Sequence, residues 1–483
     1  MLLSKVFHTD KDLEIRNIMF DSRKETPDSI FFAMKGKIND GHDFIGKAIE
    51  NGAICIVHTD DVDQKDGIVY LKADDATSAY VSFCKAFYDN DIDKMNVIGI
   101  TGTNGKTTIA WILREIISHF NRCGYIGTMG YCYDDEVHDS DRNLTTPKSD
   151  ELFRIAKEMY ENGCETLILE ASSEGLLTRR LEQVHFSTAV FNNLSADHFD
   201  VHGDMESYFK AKCILFDMLS PQDKAIINID DEYGKRLFTY SKAQNISYAI
   251  ENDADYRAVN IELRNDGSDF DLLYEGDTYH VRTVMPARFN IYNILAVIAV
   301  LNENGYPLKE FLPYLEKTQL TPGRCQLIDE GQDFNVVVDY AFTSNSFEKV
   351  FDFAESITPE DGKIIAVFGA SGDRDHNRRP GTARIADRHA DEVILSFDDP
   401  STEDMMEILI DLKSYFIRLD PEIILDRVEA INKAISLAER GDTVLLLGKG
   451  RDRFFLCKDG RVPYISDEIA AKDAIKRKLQ NKR

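Results

Sequence analysis

VIGITGTNGKTTIAWIL, residues 97–113, is a strand, a turn and a helix in one run. Residues 97–100 are apolar or small and predict a buried strand. Residues 101–106 supply a Gly-rich turn, and 107–119 have the apolar spacing of a helix. The glycines let backbone N–H groups turn toward phosphate oxygens, and the helix N-terminus adds partial positive charge. Gly102, Thr103, Asn104, Gly105, Lys106, Thr107 and Thr108 therefore read as a phosphate loop, with Lys106 on the β- and γ-phosphates and Thr107 on Mg²⁺. Ile100 stands where the general spacing has its first glycine. An ordinary Gly-rich turn is the plain alternative, and the order strand, turn, Lys-Thr-Thr, helix argues against it.

Outward from this loop the 483 residues divide into three blocks, as a domain size of roughly 100–200 residues suggests. Residues 1–91 hold an apolar run at 30–34, a helical pattern at 42–52 and a β-rich run at 54–58, and read as a small α/β unit. Residues 92–320 add short apolar runs at 166–169, 188–191 and 225–229 with helical patterns between them, as in parallel α/β sheets. Alternation over 256–284, broken by NDGSD and EGD, predicts antiparallel hairpins, and a helix over 291–302 closes the block. Residues 321–483 repeat the pattern at 336–338, 364–368, 392–395 and 444–447, and predict a second, Rossmann-like sheet without GxGxxG. The Lys/Arg-rich end, 470–483, reads as the solvated end of a helix.

The formal net charge is −27, which disfavours nucleic acid and anionic membranes as partners. An anionic substrate then needs a locally positive pocket. The 8 cysteines have no CxxC or metal-ligand spacing and read as reduced thiols of a cytoplasmic protein. No apolar run reaches the roughly 18 residues of a membrane span, and residues 1–20 lack a signal-peptide pattern.

TGTNGKTT is the first of an ordered set: DSR at 21–23, TTP at 145–147, EASS at 170–173, NLSADHFDVHGDMESYFKAK ending at Lys212, FNIYN at 289–293, PGR at 322–324, VDYA at 338–341, GDRD at 372–375 and GKG at 448–450. With these motifs the chain resembles the Mur ligases over nearly its full length. Within them it looks most like the enzymes that add the third amino acid to UDP-N-acetylmuramoyl-L-alanyl-D-glutamate. The resemblance implies a UDP-binding first domain, a central ATPase domain and a C-terminal domain for the incoming amino acid. It implies γ-phosphoryl transfer from ATP to the acceptor carboxylate, then attack by an amine on the acyl phosphate. Such transfer needs positioning and charge neutralisation rather than covalent help.

By the same resemblance, Lys106, Glu170, His198 and Lys212 are the catalytic set. Thr107, Glu170, His198 and a carbamylated Lys212 serve Mg²⁺. Asn293 reads adenine, and Arg324 and Asp339 hold ribose and phosphates. Ser22, Thr145, Thr146, Ser172 and Arg180 bind the UDP-linked dipeptide, and Arg374, Asp398, Asp399, Ser401, Gly448 and Asp452 the amino acid. Plain readings stand beside these: a structural histidine for His198, a surface lysine for Lys212, a helix face for Asn293, a strand-end cap for Asp339. The partners expected are the nucleotide dipeptide and an amino acid, with the chain a monomer.

Some positions depart from the pattern. Glu174 follows Ser172-Ser173 where the family has His, Phe342 replaces another His, and Asp398-Asp399-Pro400-Ser401 stands for Asp-Asn-Pro-Arg. Serine cannot grip the distal carboxylate of diaminopimelate as the arginine does, and the acidic pair suits a side-chain amine. Lysine is therefore the expected amino acid, ornithine the next, and meso-diaminopimelate the alternative if Arg451 supplies the lost guanidinium. A paralogous ligase with another acceptor, and an inactive nucleotide-binding protein, are the competing classes. Intact Lys106, Glu170, His198 and Lys212 argue against the latter.

Overall fold

The computed structural model describes the chain to residue 481, apart from residues 8, 10, 12, 37, 38, 135, 143, 198, 265, 320 and 375–377 and the side chains of Asp200 and Asn481. The architecture is mixed α/β around three principal sheets. The first has four parallel strands in chain order: Asn17–Met19, Ser29–Phe32, Ala53–His58 and Val69–Lys72.

The second sheet has ten strands. Its middle strand, Asn96–Thr101, lies between Thr166–Glu170 and Thr188–Phe191, parallel to both. Side chains alternate across this sheet. Val97, Leu167, Leu169, Ala189 and Phe191 enter one apolar layer. Ile98, Ile100, Ile168 and Val190 enter the other. Both faces are covered, which is why these strands read as unbroken apolar runs. Each fully buried Leu or Ile contributes about 1.5–3 kcal/mol to these layers. The hairpin region is an antiparallel meander, Tyr256–Arg264, Gly267–Tyr274 and Asp277–Thr283, at one edge of the sheet.

The third sheet alternates in the same way. Val337, Ala366 and Leu445 face one layer and Val336, Val338, Val367 and Leu446 the other. Its order places Asn335–Asp339 beside Thr443–Leu447, then Ile364–Phe368, then Glu392–Leu395. The basic tail belongs to the helix Asp467–Asn481.

The first unit does not close its core alone. Tyr80, Val81, Phe83 and Cys84 on the helix Ala76–Phe87 share one buried cluster with Leu152, Phe153, Ile155, Ala156 and Met159 on Ser149–Glu161. Those five positions fall at helical spacing and form one face. The stretch 90–95, where the first block meets the second, contains a short helical turn, Asp91–Lys94, whose Ile92 joins the same cluster. All eight cysteines are free. No helix among the described residues is long and apolar enough to cross a membrane.

Candidate active site

At the C-terminal end of the middle strand the chain turns through 102–105 into the helix Lys106–Ile117. Gly105 has φ +89°, and a Cβ there would meet Asn192 Nδ2 at 2.2 Å and Asn293 Oδ1 at 2.3 Å. Only glycine fits. The loop is braced from the neighbouring strand end: Asn104 N donates to Asn193 Oδ1 (2.9 Å), and the amides of Asn192 and Asn193 donate to Asn104 O (3.0 and 3.1 Å).

Two lysines converge here. Lys106 Nζ donates to Gly102 O (2.9 Å) and Thr103 O (3.1 Å). Lys212 Nζ, carried in by the helix Met205–Asp217, donates to the same Gly102 O at 2.9 Å. Lys212 is 1% exposed, whereas Lys210 on the same helix is exposed. Burial first, and then the charge of Lys106, hold the Lys212 amine well below the ordinary lysine range. Burial lowers Lys106 as well.

Beside them lies the fully buried Glu170. Its Oε1 accepts from Tyr125 OH (2.6 Å) and Thr128 N (3.1 Å), and its Oε2 from the hydroxyls of Thr107 and Thr128 (3.0 Å each). Hydroxyl rotors can turn a lone pair outward, so this oxygen-rich set suits a hard cation. His198 lies outside the described residues. Its neighbour Asp197 receives Arg378 Nη2 from the C-terminal unit at 2.5 Å. His202, in the same motif, was not singled out by the sequence. Its Nε2 is 2.9 Å from Ser173 Oγ, and its ring stacks on Tyr208 with centroids 4.8 Å apart.

Four acceptor-side residues come together. Thr146 Oγ1 is the hub: it donates to Glu170 O (2.7 Å), accepts from Ser172 N (2.9 Å) and lies 2.9 Å from Ser172 Oγ. Thr145 Oγ1 is 3.1 Å from Thr128 Oγ1. Arg180 Nη1 donates to Thr146 O (3.0 Å), and Nη2 to Glu174 Oε1 (2.7 Å), so the departing Glu174 faces the arginine. Ser22 is buried in the first unit, where its carbonyl accepts from Asn51 Nδ2 at 2.6 Å; it does not line the main cleft.

Two cations that the sequence reading passed over meet at Phe20, two residues before Ser22, although Lys148 directly follows Thr-Thr-Pro. Arg142 and Lys148 lie over the Phe20 ring at 4.2 and 3.7 Å. Arg142 pairs with Asp150, but among the described residues Lys148 meets no carboxylate. Its pKa is lowered by burial, then by the charges of Arg142 and Arg180.

On the nucleotide side, Asn293 does not present a free amide. Its Oδ1 accepts from Asn192 (2.9 Å) and its Nδ2 donates to Asn290 (2.9 Å), which fixes the amide's orientation and leaves one lone pair and one N–H beyond these bonds. Asp339 receives Cys325 N (2.7 Å) and Ala341 N (2.6 Å) and shapes the 322–325 loop. Burial raises its pKa. Arg324 lies 5.0 Å over Tyr340 and lines the cleft.

The amino-acid residues gather at the ends of two strands of the third sheet, and here one expectation needs correction. Asp398 and Asp399 are not a bare acidic pair. Asp399 Oδ1 accepts from Lys449 Nζ (2.8 Å) and Leu456 N (2.8 Å), and Asp452 Oδ2 also receives Lys449 (3.2 Å). Asp398 accepts from Asp399 N at 2.8 Å, and burial, followed by the charge of Asp399, pushes it up to about 6. Buried carboxylates must be paired, and the chain's own lysine fills the place assigned to the substrate's amine. Gly448, at φ +107°, packs here because a Cβ would meet Asp398 Oδ2 at 2.5 Å. Arg451 is likewise engaged, with Glu468 at 2.9 Å. Ser401 donates its N to Leu456 O (3.0 Å). Arg374 is exposed on the cleft and meets no partner among the described residues.

One cleft of about 520 Å³ runs from Thr145 and Arg180 past Lys106 and Lys212 to Arg324 and Arg374; of the expected amino-acid residues only Arg374 lines it, and Asp398, Asp399, Ser401, Gly448 and Asp452 do not. That is the size of a small-molecule site. Three family models match the chain: the Mur ligase family catalytic domain over 14–92, the Mur ligase middle domain over 100–301, and the Mur ligase glutamate ligase domain over 323–450. UDP-N-acetylmuramoyl-L-alanyl-D-glutamate--2,6-diaminopimelate ligase 1 of Clostridium acetobutylicum is 36% identical over 96% of this chain and 95% of its own length. The corresponding ligase of Fusobacterium nucleatum is 35% identical, over 97% and 96%. A solved structure of a UDP-N-acetylmuramoyl-L-alanyl-D-glutamate--2,6-diaminopimelate ligase superposes with TM-score 0.70 at 27% identity, covering 99% of both chains. MurF ligase from Thermotoga maritima in complex with ADP shares the fold, with TM-score 0.65 at 17% identity, over 98% of this chain and 100% of that one.

Proposed function

From the premise that the chain belongs to the Mur ligase family of ATP-dependent ligases, we propose that it adds the third amino acid to UDP-N-acetylmuramoyl-L-alanyl-D-glutamate in the cytoplasm, as a step of peptidoglycan-precursor synthesis. The observation that carries this reading is the meeting of Lys106 and Lys212 on Gly102 O beside the Thr107–Glu170 pair. Lys106 and the loop amides hold the ATP phosphates. Thr107 and Glu170, with His198 from the motif, fit Mg²⁺, which when bound neutralises phosphate charge. Lys212, kept as a free amine, takes up CO₂ as a carbamate and becomes an anion. The acceptor carboxylate attacks the γ-phosphorus, ADP leaves, and the incoming amine displaces phosphate from the acyl phosphate. Segments 1–91, 92–320 and 321–483 serve the UDP-sugar, ATP and amino acid.

For the amino acid, meso-diaminopimelate is the stronger reading. The relatives are named for it, and Lys449 removes the repulsion that bare Asp398 and Asp399 would exert on a second carboxylate. Arg374 is open to receive a carboxylate. Lysine, or ornithine, is the second reading, favoured by Ser401 in the place of the pairing arginine and by the engagement of Arg451 with Glu468. Phosphate release with ATP, Mg²⁺, the nucleotide dipeptide and each amino acid decides between them. Diaminopimelate is expected to give the highest kcat/KM, and Ser401→Arg to raise it further; a wild-type preference for lysine of about tenfold, the worth of 1.4 kcal/mol, sinks the first reading.

Lys148 supplies a separate test of the acceptor site. An ammonium that pairs with no carboxylate among the described residues, crowded by Arg142 and Arg180, gains from an anion such as the diphosphate. Lys148→Gln is expected to raise the KM for the nucleotide dipeptide about tenfold or more, the worth of one charge-assisted bond. Lys148→Arg should restore it and the KM for ATP should not move. An unchanged dipeptide KM removes Lys148 from the site.

A further inference from the structure

Arg427 opens the helix Arg427–Leu437, and solvent does not reach its side chain. Its guanidinium makes four bonds. Nε and Nη2 donate to the two oxygens of Asp467, both at 2.7 Å. Nη1 donates to Phe397 O (3.0 Å) and Nη2 also to Leu447 O (2.7 Å). Tyr464 OH fixes Asp467 Oδ1 from the other side at 2.6 Å.

The two carbonyls are informative. Phe397 immediately precedes Asp398, and Leu447 immediately precedes Gly448. The strands that deliver these loops, Glu392–Leu395 and Thr443–Leu447, are not neighbours, because Ile364–Phe368 lies between them. Ladder hydrogen bonds therefore do not set one loop against the other. A planar guanidinium with donors in a fixed fork can span both carbonyls while Asp467 balances its charge. A buried ion pair is a poor source of net stability, and its better-attested use is to specify geometry.

We propose that Arg427 is a positioning residue of the amino-acid pocket, holding the loops at 397–399 and 447–449 in register through the Phe397 and Leu447 carbonyls. This rests on the pocket assignment in the proposed function. It touches no substrate itself. It sets where Asp398, Gly448 and the Lys449 cluster stand, and so where the incoming amine is presented to the acyl phosphate.

The test is steady-state kinetics on Arg427→Met and Arg427→Lys in the full chain. Each of the three substrates is varied in turn, and folding is checked by circular dichroism. The KM for the diamino acid is expected to rise about tenfold or more in Arg427→Met, as an ångström-scale misplacement does, with a smaller rise in Arg427→Lys. The KM values for ATP and the nucleotide dipeptide should stay within about twofold by the same argument. A merely structural arginine would lower the active fraction, and thus kcat, without moving one KM alone. A folded variant with an unchanged amino-acid KM, or with all three raised together, overturns the proposal. Where neither variant folds, Tyr464→Phe decides, since it loosens Asp467 but keeps the ion pair. A rise of about threefold in the amino-acid KM alone is then expected from the lost hydrogen bond, and no rise overturns the proposal. Absence of turnover in the wild type with any diamino acid is a distinct result. It rejects the proposed function, and the positioning role falls with it.

Discussion

Lys212→Ala is expected to leave about a thousandth or less of the ligation rate, the scale of losing one preorganised charge at a phosphoryl-transfer site. Lys212 is buried and its amine is held well below the ordinary range by burial and by Lys106. Only the free amine reacts with CO₂, so the same burial that makes an ammonium costly keeps the reactive form present near neutrality. The sign follows. Lowering the pH through the depressed pKa protonates Lys212 and should slow reactivation of CO₂-depleted enzyme by bicarbonate; raising it should speed reactivation. Formate or acetate should return part of the activity of Lys212→Ala by supplying a carboxylate in the vacated space. The measurements are phosphate release with and without the small acids, and reactivation rate against pH. Near wild-type activity of the alanine variant would remove Lys212 from the chemistry. Activity indifferent to bicarbonate at all pH values would remove the carbamate.

Lys106→Ala should lower kcat by about a hundredfold to a thousandfold, because its ammonium meets charge that develops on the phosphates. The fold should survive. Among the described residues Lys106 Nζ donates only to the carbonyls of Gly102 and Thr103 in its own loop, and burial lowers its pKa, so its charge is a cost to the folded state. The loop itself is held by Asn192, Asn193 and Asn293 around Gly105. Thermal melting should show a Tm no lower than that of the wild type, alongside the collapse in ATP turnover. A strongly destabilised variant would mean that Lys106 is structural, and retained turnover would mean that the loop holds its phosphates without it. Lys106 and Lys212 are coupled through Gly102 O, so losses in the double variant should be far from additive.

Much of the fold was legible because its signals are local. The runs at 97–100, 188–191 and 364–368 announce strands covered on both faces, and the strands found are Asn96–Thr101, Thr188–Phe191 and Ile364–Phe368. The meander was legible from alternation interrupted at NDGSD and EGD. The helical pattern at 42–52 is also helix, over 41–50, but the kind of helix was not legible. It is a turn of 3-10 helix, Gly41–Phe44, capped by Asp40 and running into a six-residue α-helix, Ile45–Glu50. Helical periodicity does not separate these two geometries over so few residues.

The sequence by itself determined the strand, Gly-rich turn and helix around Lys106, since these depend on residues adjacent in the chain, and the family, since its motifs are short and ordered. It also singled out Thr145, Thr146, Ser172 and Arg180, and the tertiary structure joins Ser172 to Thr146 Oγ1 and Arg180 to the Thr146 carbonyl, with Thr145 on Thr128. What only the tertiary structure decided is charge pairing between distant segments. Lys449 lies 50 positions from Asp399 and pairs with that member of the acidic pair that looked ready for a substrate amine. Glu468 engages Arg451, and Glu174 faces Arg180. Lys148 stands over Phe20 and pairs with no carboxylate among the described residues, and Arg427 spans two strand ends that no ladder joins. A side chain's type fixes its charge, but its partner is fixed by burial: in a low-dielectric interior a group 50 or 100 residues away sets whether that charge is open to a ligand or already answered.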